Sequence, residues 1–290
     1  MKLITNFRRQ KKISATRAGP AAMVTAIAAC ALCFLTVFTV SSVLCPSAVA
    51  HPEDEFCTPD SGLDPALCRQ LAKLDSANGP ASAITPLTDE DGNPRTAADT
   101  ALVYIKIGVG HILPGGTDHI LFVLALFLAS TRLRSLILQI STFTVAHTIT
   151  LALAASGLVT PPASIVEPLI ALSIAFVAIE TIVFRELPRW RLLVVFGFGL
   201  FHGLGFAGFI RDVGMPPQQF WSSLIGFNVG VELGQIGVVA AAFLIRIPVL
   251  RALGGTMATP PQGYRQFVVI PASLLIALIG VWWAVTRVFE

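Results

Sequence analysis

Six apolar segments follow one another along the chain, and they constrain its fold more than any other feature. They cover residues 118–131, 135–156, 164–184, 191–210, 220–245 and 266–287. A helix that crosses a bilayer needs about 20 residues. The first segment is too short and must take up part of residues 101–117. The sequence therefore predicts an all-α, polytopic membrane protein with about six transmembrane helices.

The composition agrees with this class of protein. Hydrophobic residues make up 54% of the chain and charged residues only 13%, whereas a soluble domain carries about 25% charged residues. The sequence has no basic patch interleaved with aromatic residues, so we expect a lipid bilayer as the partner and no nucleic acid.

The N-terminal region is typical of a cleavable signal peptide. A basic stretch is followed by the apolar residues 21–44 and by Ala48-Val49-Ala50, which fits a cleavage site. The alternative is an uncleaved signal anchor. We expect a signal peptide at 1–50, a small extracytoplasmic segment at 51–100 and a six-helix transmembrane domain at 101–290. Cys57 and Cys68 lie in the exported segment, where an oxidising compartment favours their pairing.

Arginines occur in alternate loops between the apolar segments. The opposite loops carry no base in residues 157–163 and only Arg211 in residues 211–219. The positive-inside rule places the arginine-bearing loops in the cytoplasm. We therefore expect a multi-pass protein of the inner (cytoplasmic) membrane of a bacterium, with both mature termini extracytoplasmic. The arginines of the cytoplasmic loops are Arg132, Arg134, Arg185, Arg189, Arg191, Arg246, Arg251 and Arg265.

Acidic and imidazole side chains lie inside these apolar segments. A buried carboxylate without a positive partner must be protonated, hydrogen-bonded or bound to a cation, and no lysine or arginine shares the acidic segments. Carboxylate and imidazole ligands together favour Ni, Co, Zn or Cu as the bound divalent ion. The residues are Asp118, Glu167, Glu180 and Glu232, with His119, His147 and His202.

The motif from His111 to His119 contains Pro114-Gly115-Gly116, which interrupts a helix. We expect an irregular entry and a new helix that is capped near Thr117 or Asp118. An alternative role for Asp118 is therefore that of a helix cap and nothing more.

The fifth apolar segment has two distinct faces. Gly226, Gly230 and Gly234 recur every four residues and predict close packing against another helix. Asn228, Glu232 and Gln235 cluster on roughly the opposite face, which predicts that they line a cavity. In the fourth segment, Gly199 and Gly203 form a similar small-residue pair on either side of His202.

Two further segments combine polar residues on one helical face. Ser141, Thr144 and Thr148 share a face with His147 at its border, although such hydroxyls often only join helices. Ser173 and Glu180 are seven residues apart and also share a face. Pairing of Glu180 with an interfacial arginine such as Arg185 is the alternative to a functional role.

Several phrases, read together, resemble the HupE/UreJ family: HILPGGTDHILFVLALFL, FTVAHTITLAL, VEPLIALSIAFVAIE, FGFGLFHGLGFAGF and FNVGVELGQ. They cover about residues 105–245. The chain looks like a longer branch of that family, with a signal peptide and an exported segment. The resemblance implies nickel permeation, and it implies polar site positions at His111, Asp118, His119, His147, Glu167, Glu180, His202, Asn228, Glu232 and Gln235.

The first hypothesis is a membrane permease or binding protein for a divalent transition metal, more a transporter than an enzyme. Nickel is favoured by the resemblance, and cobalt, zinc or copper are the other choices. We expect the metal ligands among Asp118, His119, His147, His202 and Glu232. The supporting polar residues are His111, Thr144, Glu167, Glu180, Asn228 and Gln235. The alternatives are a metal-dependent intramembrane hydrolase and a metal-binding accessory protein that does not transport.

Overall fold

The computed structural model describes residues 95–130, 132–184, 186, 188, 190–206, 215–257, 259–261 and 263–289. The signal peptide that we predict at 1–50 and most of the predicted exported segment lie outside these residues. The described part is built from helices, with no strand in these ranges.

Seven α-helices make up the described chain. They are α1 (Ala97–Ile112), α2 (Thr117–Ala129), α3 (Leu133–Ala155), α4 (Ala163–Val183), α5 (Arg191–Gly205), α6 (Phe220–Ala252) and α7 (Ile270–Phe289). A 3-10 turn, Pro217–Gln219, precedes α6, and a π-helical turn, Arg265–Val269, precedes α7.

Four of these helical stretches are long and apolar enough to cross a membrane, and a fifth span results if α1 and α2 count as one. The fifth helix, α5, is apolar but has only 15 residues. The prediction of an all-helical polytopic protein is thus confirmed, and the predicted number of six spans is confirmed in part.

The chain is broken between α1 and α2, as the Pro-Gly-Gly motif predicts. The two helices meet at 73° and together satisfy the criteria for one span. The first apolar segment and the residues before it can therefore count as one broken span, as predicted, or as a re-entrant loop. The predicted side-chain cap at Thr117 or Asp118 is wrong, because Gly116 is the cap residue and makes no side-chain hydrogen bond.

A capping box, which we do not predict from the sequence, fixes the start of α1. The Thr96 hydroxyl accepts a hydrogen bond from the Asp99 backbone N–H, and the Asp99 carboxylate accepts one from the Thr96 N–H. This reciprocal pair stabilises a helix start. It makes α1 begin at Ala97, ahead of the boundary that we place at residue 100.

Glycines set the closest helix contacts. A Cβ on Gly226 would meet the backbone of Ala101, and one on Gly230 would meet the backbone of Ile105. The glycine face of α6 is therefore the surface on which α1 packs, which confirms the predicted packing face. In the same way, Gly199 lies against α3, where a Cβ would meet the backbone of Phe143.

The outward faces of the long helices are apolar. Such a surface would be costly in water but is expected where lipid surrounds a helix bundle. Examples with more than half of the side chain exposed are Leu138, Val145, Ile165, Ile225, Leu278 and Trp282.

Candidate metal centre

Three buried histidines from three successive helices converge on one place. His111 belongs to the last turn of α1, His119 to the first turn of α2 and His147 to α3. One ring nitrogen of each can be chosen so that all three lie within 4.8 Å of one another. We call these three residues, together with the adjacent His202 of α5, the histidine cluster.

The break between α1 and α2 produces this convergence. It turns the chain so that the His111 and His119 rings lie edge to face, with 4.8 Å between their centroids. On an uninterrupted helix, residues eight apart would lie about 12 Å apart along the axis. His202 approaches from α5, with its centroid 4.9 Å from that of His119.

Several ring nitrogens of the cluster have no hydrogen-bond partner in the described part of the chain. They are Nδ1 and Nε2 of His111, Nε2 of His119, Nε2 of His147 and Nδ1 of His202. A buried polar atom without a partner costs about 1–3 kcal/mol. Several such atoms at one place indicate a ligand that accepts electron pairs from imidazole.

A hydrogen bond fixes the orientation and the tautomer of the His147 ring. Its Nδ1 lies 3.0 Å from Oδ1 of Asn228, whose own Nδ2 donates to the carbonyl of Leu224. This second bond fixes the amide so that its oxygen faces the imidazole. Nδ1 of His147 must then carry the hydrogen, which leaves the lone pair on Nε2.

His202 is oriented by the same principle. The Ser173 hydroxyl donates its only hydrogen to the carbonyl of Ile170 at 2.6 Å. Its oxygen therefore accepts from Nε2 of His202, 3.0 Å away. The remaining nitrogen, Nδ1, keeps its lone pair. Such outer bonds are the usual way in which proteins prepare a histidine to bind a metal.

Aromatic rings enclose the cluster. Phe206 lies 4.0 Å from His111 between ring centroids, Phe122 lies 5.2 Å from His202, and Phe143 lies 5.8 Å from His119. Phe227 stacks on Phe206 at 4.9 Å. This shell shields the nitrogens from water and lowers the local dielectric, so that electrostatic interactions inside it are stronger.

The donor set fits a transition metal of intermediate softness. Imidazole nitrogen suits Zn, Cu, Fe and Ni, whereas Ca²⁺ and Mg²⁺ prefer oxygen. Around a tetrahedral ion with bonds of about 2.0–2.1 Å, ligand nitrogens lie about 3.3 Å apart. The histidines would therefore have to close by roughly 1–1.5 Å, which small side-chain rotations can supply.

Two of the predicted site carboxylates, Asp118 and Glu180, are paired with arginines. Both oxygens of Asp118 accept hydrogen bonds from Arg287, at 3.0 and 3.1 Å. The side chain of Glu180 is buried and paired with Arg191 of α5. The premise that Asp118 has no positive partner is wrong, because Arg287 comes from a segment distant in sequence. For Glu180 the alternative of an arginine partner holds, with Arg191 in the place of Arg185.

The remaining predicted residues form a polar layer beside the cluster or lie at its margin. Glu232 accepts a hydrogen bond from Ser141 at 2.7 Å, and Gln235 lies 3.2 Å from the Thr144 hydroxyl. Both contacts join the polar face of α6 to α3, which confirms that the glycine and polar faces of α6 are separate. Glu167 is exposed, and its backbone carbonyl accepts from Arg287.

A buried network that the sequence interpretation does not contain lies at the opposite end of α3. The Nε of Arg191 donates to Gln139, whose amide in turn donates to the Ser130 hydroxyl and the Ser135 carbonyl. With Glu180, these residues connect α3, α4, α5 and the turn after α2. The clue in the sequence is Gln139, an amide in an apolar segment.

Comparison with known proteins gives one finding. The model of the family described as "HupE / UreJ protein" matches residues 88–287. No curated protein and no solved structure shows a significant match to this chain.

Proposed function

Because this chain belongs to the HupE/UreJ family, we propose that it is a membrane permease for a divalent transition metal. Nickel is the favoured ion, from the sequence resemblance, with cobalt, zinc and copper as the other candidates. The observation that carries the proposal is the histidine cluster, in which buried imidazole nitrogens from three helices lie close together and a fourth histidine is adjacent. Nitrogens of all four rings have no hydrogen-bond partner among the described residues.

In this proposal the metal ion is the transported substrate, and the histidine cluster is its binding site inside the membrane. His111, His119 and His147 supply the ligands, and His202 supplies a fourth nitrogen after a small movement. Asn228 and Ser173 keep two of these rings in the metal-binding tautomer. Release requires that the ion not be bound too tightly, and neutral imidazoles leave its charge uncompensated.

We propose that the ion enters the site from the Asp118 side. The carboxylate of Asp118 directly precedes His119 in sequence and is 21% exposed, together with its partner Arg287. A cation that arrives here meets a carboxylate before it meets the buried rings. We therefore propose that Asp118 is the first residue to bind the arriving ion. We place Glu167 at the same entrance, because Arg287 contacts both residues.

The placement in the membrane follows from the distribution of arginines. We propose six transmembrane passages in the inner membrane of a bacterium, with the arginine-bearing loops in the cytoplasm. The mature N- and C-termini are then extracytoplasmic. A signal peptide at 1–50 and an exported segment at 51–100 complete this arrangement.

Uptake of radioactive nickel into proteoliposomes tests the proposal. Wild-type protein should load the vesicles with nickel, and H119A and H147A should reduce the rate to below about a tenth. The matched control is T148V, because the Thr148 hydroxyl donates only to the Thr144 carbonyl of its own helix. Equal uptake by wild type and both histidine variants would contradict the proposal.

The same experiment separates the alternatives. A metal-binding accessory protein would bind nickel stoichiometrically and leave the vesicles empty. An intramembrane hydrolase would also leave them empty and would cleave a lipid or peptide in a zinc-dependent manner.

A further inference from the structure

A second polar group lies next to the histidine cluster, between the facing surfaces of α3 and α6. Its members are Ser141, Thr144, Glu232 and Gln235, which we call the oxygen group. Ser141 donates to Glu232 at 2.7 Å, and the Thr144 hydroxyl lies 3.2 Å from Oε1 of Gln235. The atoms that form these two contacts are all oxygens, in contrast to the nitrogens of the cluster.

The oxygen group continues the cluster along α3. Ser141, Thr144 and His147 follow one another at intervals of three residues, so that they share one ridge of the helix. Each contacts α6, His147 through Asn228 and the two hydroxyls through Glu232 and Gln235. A cation in the oxygen group would thus be about one helical turn from the imidazoles.

Gln235 is the unexplained member of the oxygen group. Its side chain is 1% exposed, and its Nε2 has no hydrogen-bond partner among the residues that the structure describes. The Thr144 hydroxyl has a single hydrogen, yet it lies 3.2 Å from both the Ile140 carbonyl and Oε1 of Gln235. Only one of these two oxygens can accept that hydrogen.

The amide of Gln235 can also be placed with its oxygen and nitrogen exchanged, and we base the inference on that orientation. Nε2 of Gln235 would then donate to Thr144, and the Thr144 hydrogen would go to Ile140. The carbonyl oxygen of Gln235 would be left buried with no donor opposite it. An oxygen in that position is a ligand for a hard cation.

The charge of the oxygen group is that of one carboxylate. Unlike Asp118 and Glu180, Glu232 has no arginine or lysine partner within the described ranges. A monovalent cation would neutralise this carboxylate. Oxygen ligands also favour hard cations over nickel or copper.

We propose that the oxygen group is a binding site for Na⁺, and that Na⁺ bound there drives the movement of the transition metal. The coupling role rests on the proposed transport function, whereas Na⁺ binding does not. Simple helix association would account for the Ser141–Glu232 bond, but it would leave the buried amide of Gln235 unsatisfied.

Binding of radioactive Na⁺ to the purified full-length protein in mild detergent tests the site, with choline as the replacement cation. We expect saturable binding, and E232Q should weaken it more than about tenfold because a charged ligand is lost. Q235L should weaken it as well. T142V is the control, because the Thr142 hydroxyl donates only to the Leu138 carbonyl.

Absence of saturable Na⁺ binding by the wild type would overturn the inference, as would unchanged binding by E232Q. If E232Q does not yield a monodisperse protein, S141A takes its place, because it removes one oxygen and keeps the carboxylate. S141A should then bind Na⁺ more weakly than T142V.

Two further measurements separate this inference from the proposed function. H147A should bind Na⁺ like the wild type while it loses nickel uptake. In proteoliposomes, an inward Na⁺ gradient should accelerate nickel uptake by the wild type, and replacement by choline should remove the effect. Nickel uptake that follows a proton gradient and ignores Na⁺ would overturn the coupling role while leaving the permease intact.

Discussion

Both terminal nitrogens of Arg287 in α7 donate hydrogen bonds to the carboxylate of Asp118, at 3.0 and 3.1 Å. The two residues are 169 positions apart in the sequence. The guanidinium also lies over the ring of Trp283, 5.3 Å from its centre. Bidentate geometry of this kind fixes orientation as well as charge. The carboxylate of Asp118, which precedes His119 in sequence, is therefore paired with an arginine. In the proposed function, an arriving metal ion competes with Arg287 for this carboxylate.

This competition predicts the effect of removing the arginine. R287Q should bind nickel more tightly than the wild type, by about fivefold, because a partly exposed ion pair contributes about 1 kcal/mol. D118N should bind nickel more weakly. The measurement is equilibrium dialysis of the purified protein. T286V is the control on α7, because the Thr286 hydroxyl bonds to carbonyls of its own helix. Weaker binding by R287Q would show that the arginine positions the site.

The support of His147 by Asn228 gives a second prediction. N228A removes the acceptor that holds Nδ1–H, so the ring loses its fixed tautomer and orientation. Loss of such an outer contact typically reduces metal affinity about 10–100-fold. Titration with Co²⁺, followed by its visible absorption, measures both affinity and coordination geometry. T148V should titrate like the wild type. An N228A variant that also titrates like the wild type would show that His147 is not a ligand.

The glycine face of α6 gives a prediction about stability that does not depend on metal. G230A places a Cβ against the backbone of Ile105 and Gly108, where no flexible side chain can give way. Overpacking of this kind costs about 1–3 kcal/mol. G197A is the matched control, because nothing lies within 4 Å of a Cβ there. Thermal unfolding in detergent should show a lower midpoint for G230A and an equal or higher one for G197A.

The buried pair of Glu180 and Arg191 predicts a rescue. E180L leaves the arginine buried without its partner, which typically costs about 3–5 kcal/mol. The double variant E180L/R191M removes both charges and should regain most of that loss, since apolar residues often replace a buried ion pair without penalty. The readout is the monodisperse fraction after heating. No recovery in the double variant would show that Arg191 acts mainly through Gln139.

Helix periodicity was enough to predict the all-helical class, the break before His119 and the two faces of α6, whereas the predicted number of six spans is confirmed only in part. These features depend on residues near one another in sequence. Gly226, Gly230 and Gly234 share a face whatever the fold, so their contact with α1 could be anticipated. The same holds for Ser173 and Glu180, both of which contact α5.

The pairings between distant segments could not be predicted in this way. Nothing near Asp118 in sequence indicates that its partner is Arg287. The sequence shows an acidic residue in an apolar segment, but it does not show which arginine of another helix pairs with it. His111 is a second example, since it lies outside the six predicted segments and joins His119 only because α1 and α2 meet at 73°.

X-ray absorption at the nickel edge of the nickel-loaded, full-length protein tests the central claim most directly. The account predicts ring scattering from about three imidazoles, with His111, His119 and His147 as their source. H119A should lose part of that signal, whereas T148V should keep it. A spectrum of oxygen ligands without imidazole scattering, or one unchanged in H119A, would contradict the assignment of the histidine cluster as the metal site.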